Sequence, residues 1–228
     1  AGALIGMAYA LLREGVDRTF RRADQIEAMT GLPVLAMVPT LRGSITPIAH
    51  VLRKPVSPYA EALRKLHIGL ELSEAAQSPK TVLVSSAVPG EGKTVLVASM
   101  GRMLASHGRR ILMIDCDWRN PRLHKAFQCQ NRNGLAELLC DRPERIEDCI
   151  FTDTLSGADL IPSGVFTPQA MRYLTTDRMK MILHALAPRY DMILIDSAPV
   201  LVGAEVLTLS RMVDKVAFMV RWGNTKRD

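Results

Sequence analysis

Apolar residues recur along this chain in two patterns that alternate from residue 59 onwards. Between Tyr59 and Ala76 they return every three or four positions, which predicts a helix. Beyond it, short apolar runs without polar alternation predict buried strands, and amphipathic segments between them predict helices. The predicted strands are Thr81–Ser86, Arg110–Ile114, Asp159–Pro162, Met192–Ile195 and Lys215–Arg221. The predicted helices are about Gly92–His107, Leu135–Asp141, Pro168–Leu186 and Ala204–Arg211. This order predicts an α/β fold, a mostly parallel sheet with helices on both faces.

The first 58 residues follow a different pattern. Residues 1–12 are apolar and rich in small side chains, and arginines follow from Arg13. Twelve helical residues reach only ~18 Å, which is less than the thickness of a bilayer core. Small residues followed by basic ones are nevertheless typical of a helix that leaves a membrane on the cytoplasmic side. We therefore predict the end of a transmembrane helix at 1–12, with a buried amphipathic helix as the alternative. Residues 13–58 are predicted to be a juxtamembrane segment and linker, with a short helix, a Gly-Pro turn and a short strand in 21–39 and an aperiodic, proline-containing stretch at 41–58.

Composition excludes several classes of protein. The formal net charge is +6, yet the basic residues are dispersed among acidic ones and form no run interleaved with aromatics, so nucleic acid is not an expected partner. The four cysteines have no C-x-x-C spacing, which argues against a zinc site and for reduced thiols. An apolar content of 48% is sufficient for a packed core.

The stretch AVPGEGKT, residues 87–94, lies between a predicted strand and a predicted helix, where a phosphate-binding loop belongs. It follows the pattern G-x-x-x-x-G-K-[ST], except that Ala87 replaces the first glycine. Backbone N–H groups from Gly90 to Thr94 would surround a β-phosphate, Lys93 would reach the β- and γ-phosphates, and the Thr94 hydroxyl would bind Mg²⁺. ATP and Mg²⁺ are thus the expected cofactors. The predicted nucleotide-contacting residues are Pro89, Gly90, Glu91, Gly92, Lys93, Thr94 and Val95.

Carboxylates follow two of the predicted strands. Asp115 and Asp117 come after ILMI, and Asp196 comes after MILI. Ligands of parallel sheets bind beyond the carboxyl ends of the strands, so these side chains are predicted to meet the phosphate loop there. One carboxylate beside a Mg²⁺–phosphate group can hold the metal, and another can accept a proton from an attacking hydroxyl.

Three stretches together resemble the bacterial tyrosine kinases, namely the phosphate loop, ILMIDCDWRNP and ILIDSAP. The resemblance extends over nearly the whole chain, which resembles a polysaccharide co-polymerase that carries its kinase domain in the same polypeptide. It implies a P-loop NTPase-like fold of the deviant Walker type, related to partition ATPases, at 59–228, with the family pattern continuing past the last residue. It also implies that Asp115 is the catalytic base with Lys93 as its catalytic partner, that Thr94, Asp117 and Asp196 hold Mg²⁺, and that Arg119 braces its loop.

The same resemblance implies the biological setting. Such a protein is an ATP-dependent protein-tyrosine autokinase at the bacterial inner membrane, with this region on the cytoplasmic side, and it regulates exopolysaccharide polymerisation, chain length and export. The implied partners are a tyrosine-rich tail of the same protein or a neighbouring subunit in a homo-oligomer, and the polysaccharide polymerase and export machinery.

Several positions depart from the family pattern. Partition ATPases place a lysine where this chain has Val88, and the kinases tolerate a neutral residue there. The self-association motif E-x-x-R-x-x-R has His67 at its last position, and Glu205 stands where aspartate is usual. The tyrosines are dispersed, so we expect little self-phosphorylation; they are Tyr9, Tyr59, Tyr173 and Tyr190. Two alternatives stay open, a nucleotide-dependent switch without kinase activity and a catalytically idle scaffold.

Overall fold

The computed structural model describes residues 18–41, 46–73, 78–140 and 146–227. No helix within these ranges combines the length and the apolar character needed to cross a bilayer. The predicted membrane-proximal helix at 1–12 lies outside the described residues. The helices are α1 (Ala23–Thr30), α2 (Pro47–Arg53), α3 (Pro58–Leu72), α4 (Lys93–Ser106), α5 (Leu123–Ala126), α6 (Leu135–Cys140), α7 (Pro168–Leu174), α8 (Asp177–Leu186) and α9 (Glu205–Leu209), with a short 3₁₀ helix at Glu147–Cys149. The strands are β1 (Thr81–Ser86), β2 (Ile111–Asp115), β3 (Phe151–Thr152), β4 (Asp159–Ile161), β5 (Met192–Asp196) and β6 (Lys215–Met219).

The chain divides into two compact units, and the smaller one contains the described residues 18–34 and 220–227. Its two segments pair in antiparallel fashion, with the Phe20 amide donating to the Thr225 carbonyl at 3.0 Å. Helix α1 follows and ends at Gly31, whose φ of 69° places it in the left-handed region that glycine adopts without strain. The predicted short helix is therefore confirmed, and the predicted turn begins at Gly31.

The larger unit, residues 35–219, contains a six-stranded sheet in the order β3-β4-β2-β5-β1-β6. All neighbours are parallel except β3 and β4. Strand β5 lies in the centre between β2 and β1, so the carboxyl ends of these three strands meet at one edge of the sheet. The predicted mostly parallel sheet is confirmed, and it is the arrangement that brings ligand-binding loops together.

Alternate residues of each central strand face opposite layers. Leu83, Ile114 and Ile195 belong to one buried cluster, which also includes residues of α6, α7, α8 and α9. Val84 and Met113 belong to the other, which includes residues of α2, α3 and α4. The sheet is therefore covered on both faces, as the continuous apolar strands predict.

Some predicted boundaries were wrong. The segment Pro168–Leu186 forms two helices because Thr176 has an extended backbone, and its hydroxyl accepts the Arg178 amide at 3.4 Å as the cap of α8. The predicted short strand after Gly31 is absent from the described residues 33–41. Apolar side chains of that stretch instead pack directly on the α2–α4 layer, and they are Leu35, Ala36, Val38 and Leu41.

The aperiodic stretch 41–58 also contains structure that its pattern did not predict. Thr46 caps helix α2, with its hydroxyl accepting the Ala49 amide at 3.4 Å, and Pro47 occupies the first turn, where its missing N–H costs nothing. Ile48 and Val51 are buried against the sheet domain. A helix of seven residues is too short for a periodic pattern to stand out.

Burial of α2 leads to a stability prediction. Val51 is 2% exposed, whereas Val56, a few residues later, is 89% exposed. We expect Val51→Ala to lower the free energy of unfolding by about 1–2 kcal/mol, because it removes two buried methyl groups and leaves a cavity. The matched Val56→Ala should change it by less than ~0.5 kcal/mol. Urea denaturation of both variants measures the difference, and equal midpoints would show that α2 does not contribute to the core.

Candidate active site

The phosphate loop connects β1 to α4, as the sequence predicted. Gly90 and Gly92 have φ angles of 83° and 96°, so the chain needs glycine at both positions to turn into the helix. Gly92 is the residue before the first turn of α4, and the N–H groups of that turn point toward the carboxyl edge of the sheet. The backbone thus has the form of an anion-binding loop at a helix N-terminus.

Side chains of the loop hold it closed. The Lys93 ammonium is buried and donates to the Ser86 hydroxyl at 2.9 Å. That hydroxyl donates in turn to the Val88 carbonyl at 2.9 Å, and the Glu91 carboxylate accepts the Val88 amide at 3.1 Å. These hydrogen bonds define the conformation of the loop. Neither Ser86 nor Glu91 could be assigned this role from sequence, because serine at a strand end and glutamate in a turn are common.

Asp115, at the end of β2, is completely buried and accepts three backbone hydrogen bonds. The Asp117 amide donates to Oδ1 at 3.1 Å, and the Arg122 and Leu123 amides donate to Oδ2 at 3.2 and 3.1 Å. Asp117 itself accepts the Asn120 amide at 3.1 Å. Asp115 thus fixes the loop between β2 and α5 in addition to presenting a carboxylate at the site.

Asp196 lies beside Asp115, because these two residues are register partners in the parallel pair β2–β5. Asp196 is 1% exposed, and neither of its carboxylate oxygens has a hydrogen-bonding partner among the described residues. The Thr94 hydroxyl lies near enough to favour the charged form, although the geometry falls short of a hydrogen bond. The sheet therefore brings Thr94, Asp115 and Asp196 together at one edge, as the sequence predicted.

Burial changes the acidity of both carboxyl groups. Loss of hydration raises the pKa of Asp115 to about 7, and the backbone hydrogen bonds oppose this rise only in part. Burial also raises the pKa of Asp196 well above its ordinary range, and the negative charge of Asp115 adds to the effect. Two buried carboxylates of like charge side by side form a site that favours a cation or a proton.

This arrangement predicts a pH dependence of stability. Between the ordinary pKa of 3.8 and a folded value of about 7, the folded chain holds a proton on Asp115 that the unfolded chain has lost. Rising pH therefore favours unfolding across that interval. Above the interval, the Asp115 carboxyl is ionised in both states and has no further effect on the free energy of unfolding. We expect the free energy of unfolding, measured by urea without Mg²⁺ or nucleotide, to fall more from about pH 5 to about pH 8 in the wild type than in Asp115→Asn. Parallel profiles would contradict the raised pKa.

Arg119 supports the loop between β2 and α5 from the other side. Its guanidinium lies 3.4 Å from the carboxylate of Glu205, which is buried at the start of α9. A Cβ atom added at Gly203 would lie 2.4 Å from the Glu205 Oε1 atom, so a larger residue at this position would collide with the same carboxylate. The pairing agrees with a bracing role for Arg119.

The residues at this edge fit a magnesium nucleotide. Mg²⁺ is usually held by one or two carboxylates together with water and phosphate oxygens, without a protein cage. In the described part of the chain, no three His, Cys, Asp or Glu side chains converge as a cage. The buried oxygens of Asp196 without partners, beside Thr94, match the open type of site.

Comparison with known proteins agrees with this geometry. The profile of the AAA domain family matches residues 79–217, from the start of β1 into β6. The chain belongs to this family. Among curated relatives, the putative tyrosine-protein kinase EpsB of Ralstonia solanacearum is 29% identical over 97% of this chain and 31% of its own length. The chain therefore spans about a third of that relative.

Solved structures confirm the fold. The kinase domain of the Escherichia coli tyrosine kinase ETK superposes with a TM-score of 0.80 at 25% identity, over 90% of this chain and 84% of that domain. The septum site-determining protein MinD of Pyrococcus horikoshii, solved with Mg-ADP, superposes with a TM-score of 0.53 at 20% identity, over 61% of this chain and 57% of MinD. The second likeness concerns the fold alone.

Proposed function

We propose that this chain is the ATP-dependent protein-tyrosine kinase domain of a membrane protein that regulates exopolysaccharide polymerisation, chain length and export. The observation that carries the proposal is the meeting of the phosphate loop, Asp196 and Asp115 at one edge of the sheet. The names of the relatives support it, because EpsB and ETK are described as tyrosine kinases.

Each part of the site has a task in phosphoryl transfer. The loop amides bind the phosphates, and Lys93 turns from Ser86 to the β- and γ-phosphate oxygens. Thr94, Asp117 and Asp196 would hold Mg²⁺, which neutralises charge on the phosphates when bound. Because Asp196 already lies beside the loop and out of water, and the Lys93 ammonium only has to turn from Ser86, little reorganisation is needed when the nucleotide binds.

Asp115 acts as the base. The phenolic oxygen of a tyrosine forms a bond to the γ-phosphorus, the bond from that phosphorus to the bridging oxygen breaks, and ADP leaves. The phenolic proton passes to Asp115. A carboxylate with a pKa near 7 is well suited to this step, because it is partly ionised at neutral pH yet basic enough to take the proton.

The acceptor tyrosine comes from elsewhere than the core of this domain. Tyr59 and Tyr190 are buried, with their hydroxyls hydrogen-bonded to Ser99 and Asp159. Tyr173 is half-buried under the guanidinium of Arg178, 4.4 Å from its ring centre. A tyrosine-rich tail or a neighbouring subunit in a homo-oligomer at the cytoplasmic side of the inner membrane is the substrate that we propose.

Incubation of the full-length protein with Mg-ATP, followed by mass spectrometry, tests the proposal. We expect phosphotyrosine. ATP turnover without phosphotyrosine would favour a nucleotide switch of the partition-ATPase type, although Val88 replaces the lysine that such switches use. Failure to bind nucleotide would favour an idle scaffold in polysaccharide assembly.

A further inference from the structure

The loop at residues 162–167, directly after β4, lies next to the loop that follows Asp115. Ile161 and Ile114 are register partners at the ends of β4 and β2, so both loops leave the sheet at the same edge. The Trp118 indole donates to the Ser163 carbonyl at 2.6 Å and ties one loop to the other. A polypeptide that approaches Asp115 from the β4 side therefore meets this loop first.

Two further side chains fix the backbone of this loop. The Asn131 amide group accepts the Gly164 N–H and donates to the Gly164 carbonyl, both at 3.1 Å. The Glu137 carboxylate accepts the Val165 amide at 2.9 Å. With the Trp118 bond, three side chains from separate segments hold a short loop in one conformation. Such support is typical of a surface that must be presented in a defined position.

The tip of this supported loop is apolar and exposed. Val165 and Phe166 are 57% and 51% exposed, and the Phe166 ring lies 6.3 Å from the buried ring of Trp118. Single exposed apolar side chains are common on protein surfaces. Here two adjacent ones lie on a rigid backbone with an aromatic ring beneath, and a large, exposed aromatic side chain on a rigid support is a favoured anchor for a partner.

Exposed basic residues occur in the two segments whose side chains support the tip. Arg119 and Arg122 are exposed in the loop that carries Trp118, and Arg132 is exposed next to Asn131. In the described part of the chain, the carboxylate that bonds to the tip is that of Glu137, and backbone amides of Gly134 and Val165 engage both of its oxygens. An apolar tip whose supporting segments carry exposed arginines is complementary to a segment that combines acidic and aromatic side chains.

The order of strands places this surface on the acceptor side of the site. Along the carboxyl edge, the phosphate loop follows β1, Asp196 ends β5, Asp115 ends β2 and the 162–167 loop follows β4. In-line transfer needs the attacking oxygen opposite the leaving ADP. With the phosphates at β1 and the base at β2, the acceptor enters from the β4 side.

We propose that Val165, Phe166, Trp118, Arg122 and Arg132 form an acceptor platform, which binds an acidic, tyrosine-containing polypeptide segment and positions its tyrosine at Asp115. Val165 and Phe166 supply apolar contact on the base of Trp118, and the arginines attract the acidic flanks. The proposal rests on the proposed kinase function for its last step, but binding of the segment does not require phosphoryl transfer.

Equilibrium binding tests the platform independently of catalysis. The probe is a fluorescein-labelled peptide built from Glu and Tyr, and anisotropy is measured with a non-hydrolysable ATP analogue and Mg²⁺ present. We expect Phe166→Ala to weaken binding about tenfold, equivalent to about 1.4 kcal/mol, and Phe166→Leu to weaken it less. The control is Leu155→Ala, because Leu155 is 69% exposed in the turn between β3 and β4, at the opposite edge of the sheet. It should bind as the wild type does.

The outcomes separate the two proposals. A wild-type protein that does not bind the peptide, or a Phe166→Ala variant that melts normally and binds it equally well, overturns the platform. Equal binding of a matched Lys and Tyr peptide overturns its preference for acidic segments. A peptide that binds through Phe166 but gains no phosphate from Mg-ATP contradicts the kinase function and leaves the binding surface standing.

Discussion

Lys93→Met is expected to weaken Mg-ATP binding by about 10- to 100-fold. The ammonium is the cation best placed to reach the phosphates, and a charge-assisted hydrogen bond contributes about 1.5–3 kcal/mol. Methionine has a similar length and fills the buried space, so the loop should keep its shape. The Ser86 hydroxyl still donates to the Val88 carbonyl after the change. Isothermal titration calorimetry with Mg-ATP measures the loss.

The matched control is Lys180→Met, which removes the same charge from an exposed position on α8, paired only with Asp177 at 3.1 Å among the contacts described. It should leave the affinity within about twofold of the wild type, since a surface pair of this kind contributes little. If Lys93→Met bound Mg-ATP as tightly as this control, residues 87–94 would not be the nucleotide site.

Asp115→Asn is expected to lower phosphotyrosine formation by about 100- to 10,000-fold, the contribution of a general base, while Mg-ATP binding changes little. The asparagine keeps the shape of the carboxylate but cannot take the phenolic proton. Its single carbonyl oxygen can still accept the Arg122 and Leu123 amides, whereas its NH₂ group would face the Asp117 amide. That conflict costs about 1–3 kcal/mol, and removal of a buried charge beside Asp196 offsets part of it.

Asp214→Asn controls for the structural part of this change. One oxygen of Asp214 accepts the Lys80 and Thr81 amides, each at 2.8 Å, at the opposite edge of the sheet. Its substitution likewise removes the charge of a carboxylate that backbone amides bind, and it should leave phosphate transfer per folded molecule intact. Initial rates of transfer to a Glu and Tyr copolymer, normalised to Mg-ATP affinity, compare the two variants. Loss of nucleotide binding together with transfer in Asp115→Asn would assign Asp115 to the metal or to the loop instead.

The central features of the fold could be predicted from local patterns. Strands β1, β2 and β5 are continuous apolar runs because they are buried on both faces, and each ends in a residue that the site uses. The phosphate loop could be recognised because its glycines, lysine and threonine stand at fixed spacing between a strand and a helix. These signals depend on residues that are close in sequence, and the structure agrees with them to within a residue or two.

Features that depend on distant contacts could not be predicted. Strand β3 has only two residues, and it is a strand because of its antiparallel partner β4. The loop at 162–167 reads as an ordinary turn with a proline and a glycine, and its defined shape comes from Asn131 and Trp118. The hydrogen bond between Lys93 and Ser86 likewise could not be predicted. The sequence shows which groups a side chain can bond to, but it does not show which of them lie beside it in the fold.

The central place of β5 also decides how the chain can fold. Strands β1 and β2 precede it in the chain, yet they have no direct pairing with each other, and each borders β5. Until residues 192–196 insert between them, their facing edges carry open N–H and C=O groups that can pair with another molecule. The long loops that must close make this a late event. Because Asp196 lies on the inserting strand, we expect the proposed nucleotide site to become complete in the same step that closes these open strand edges.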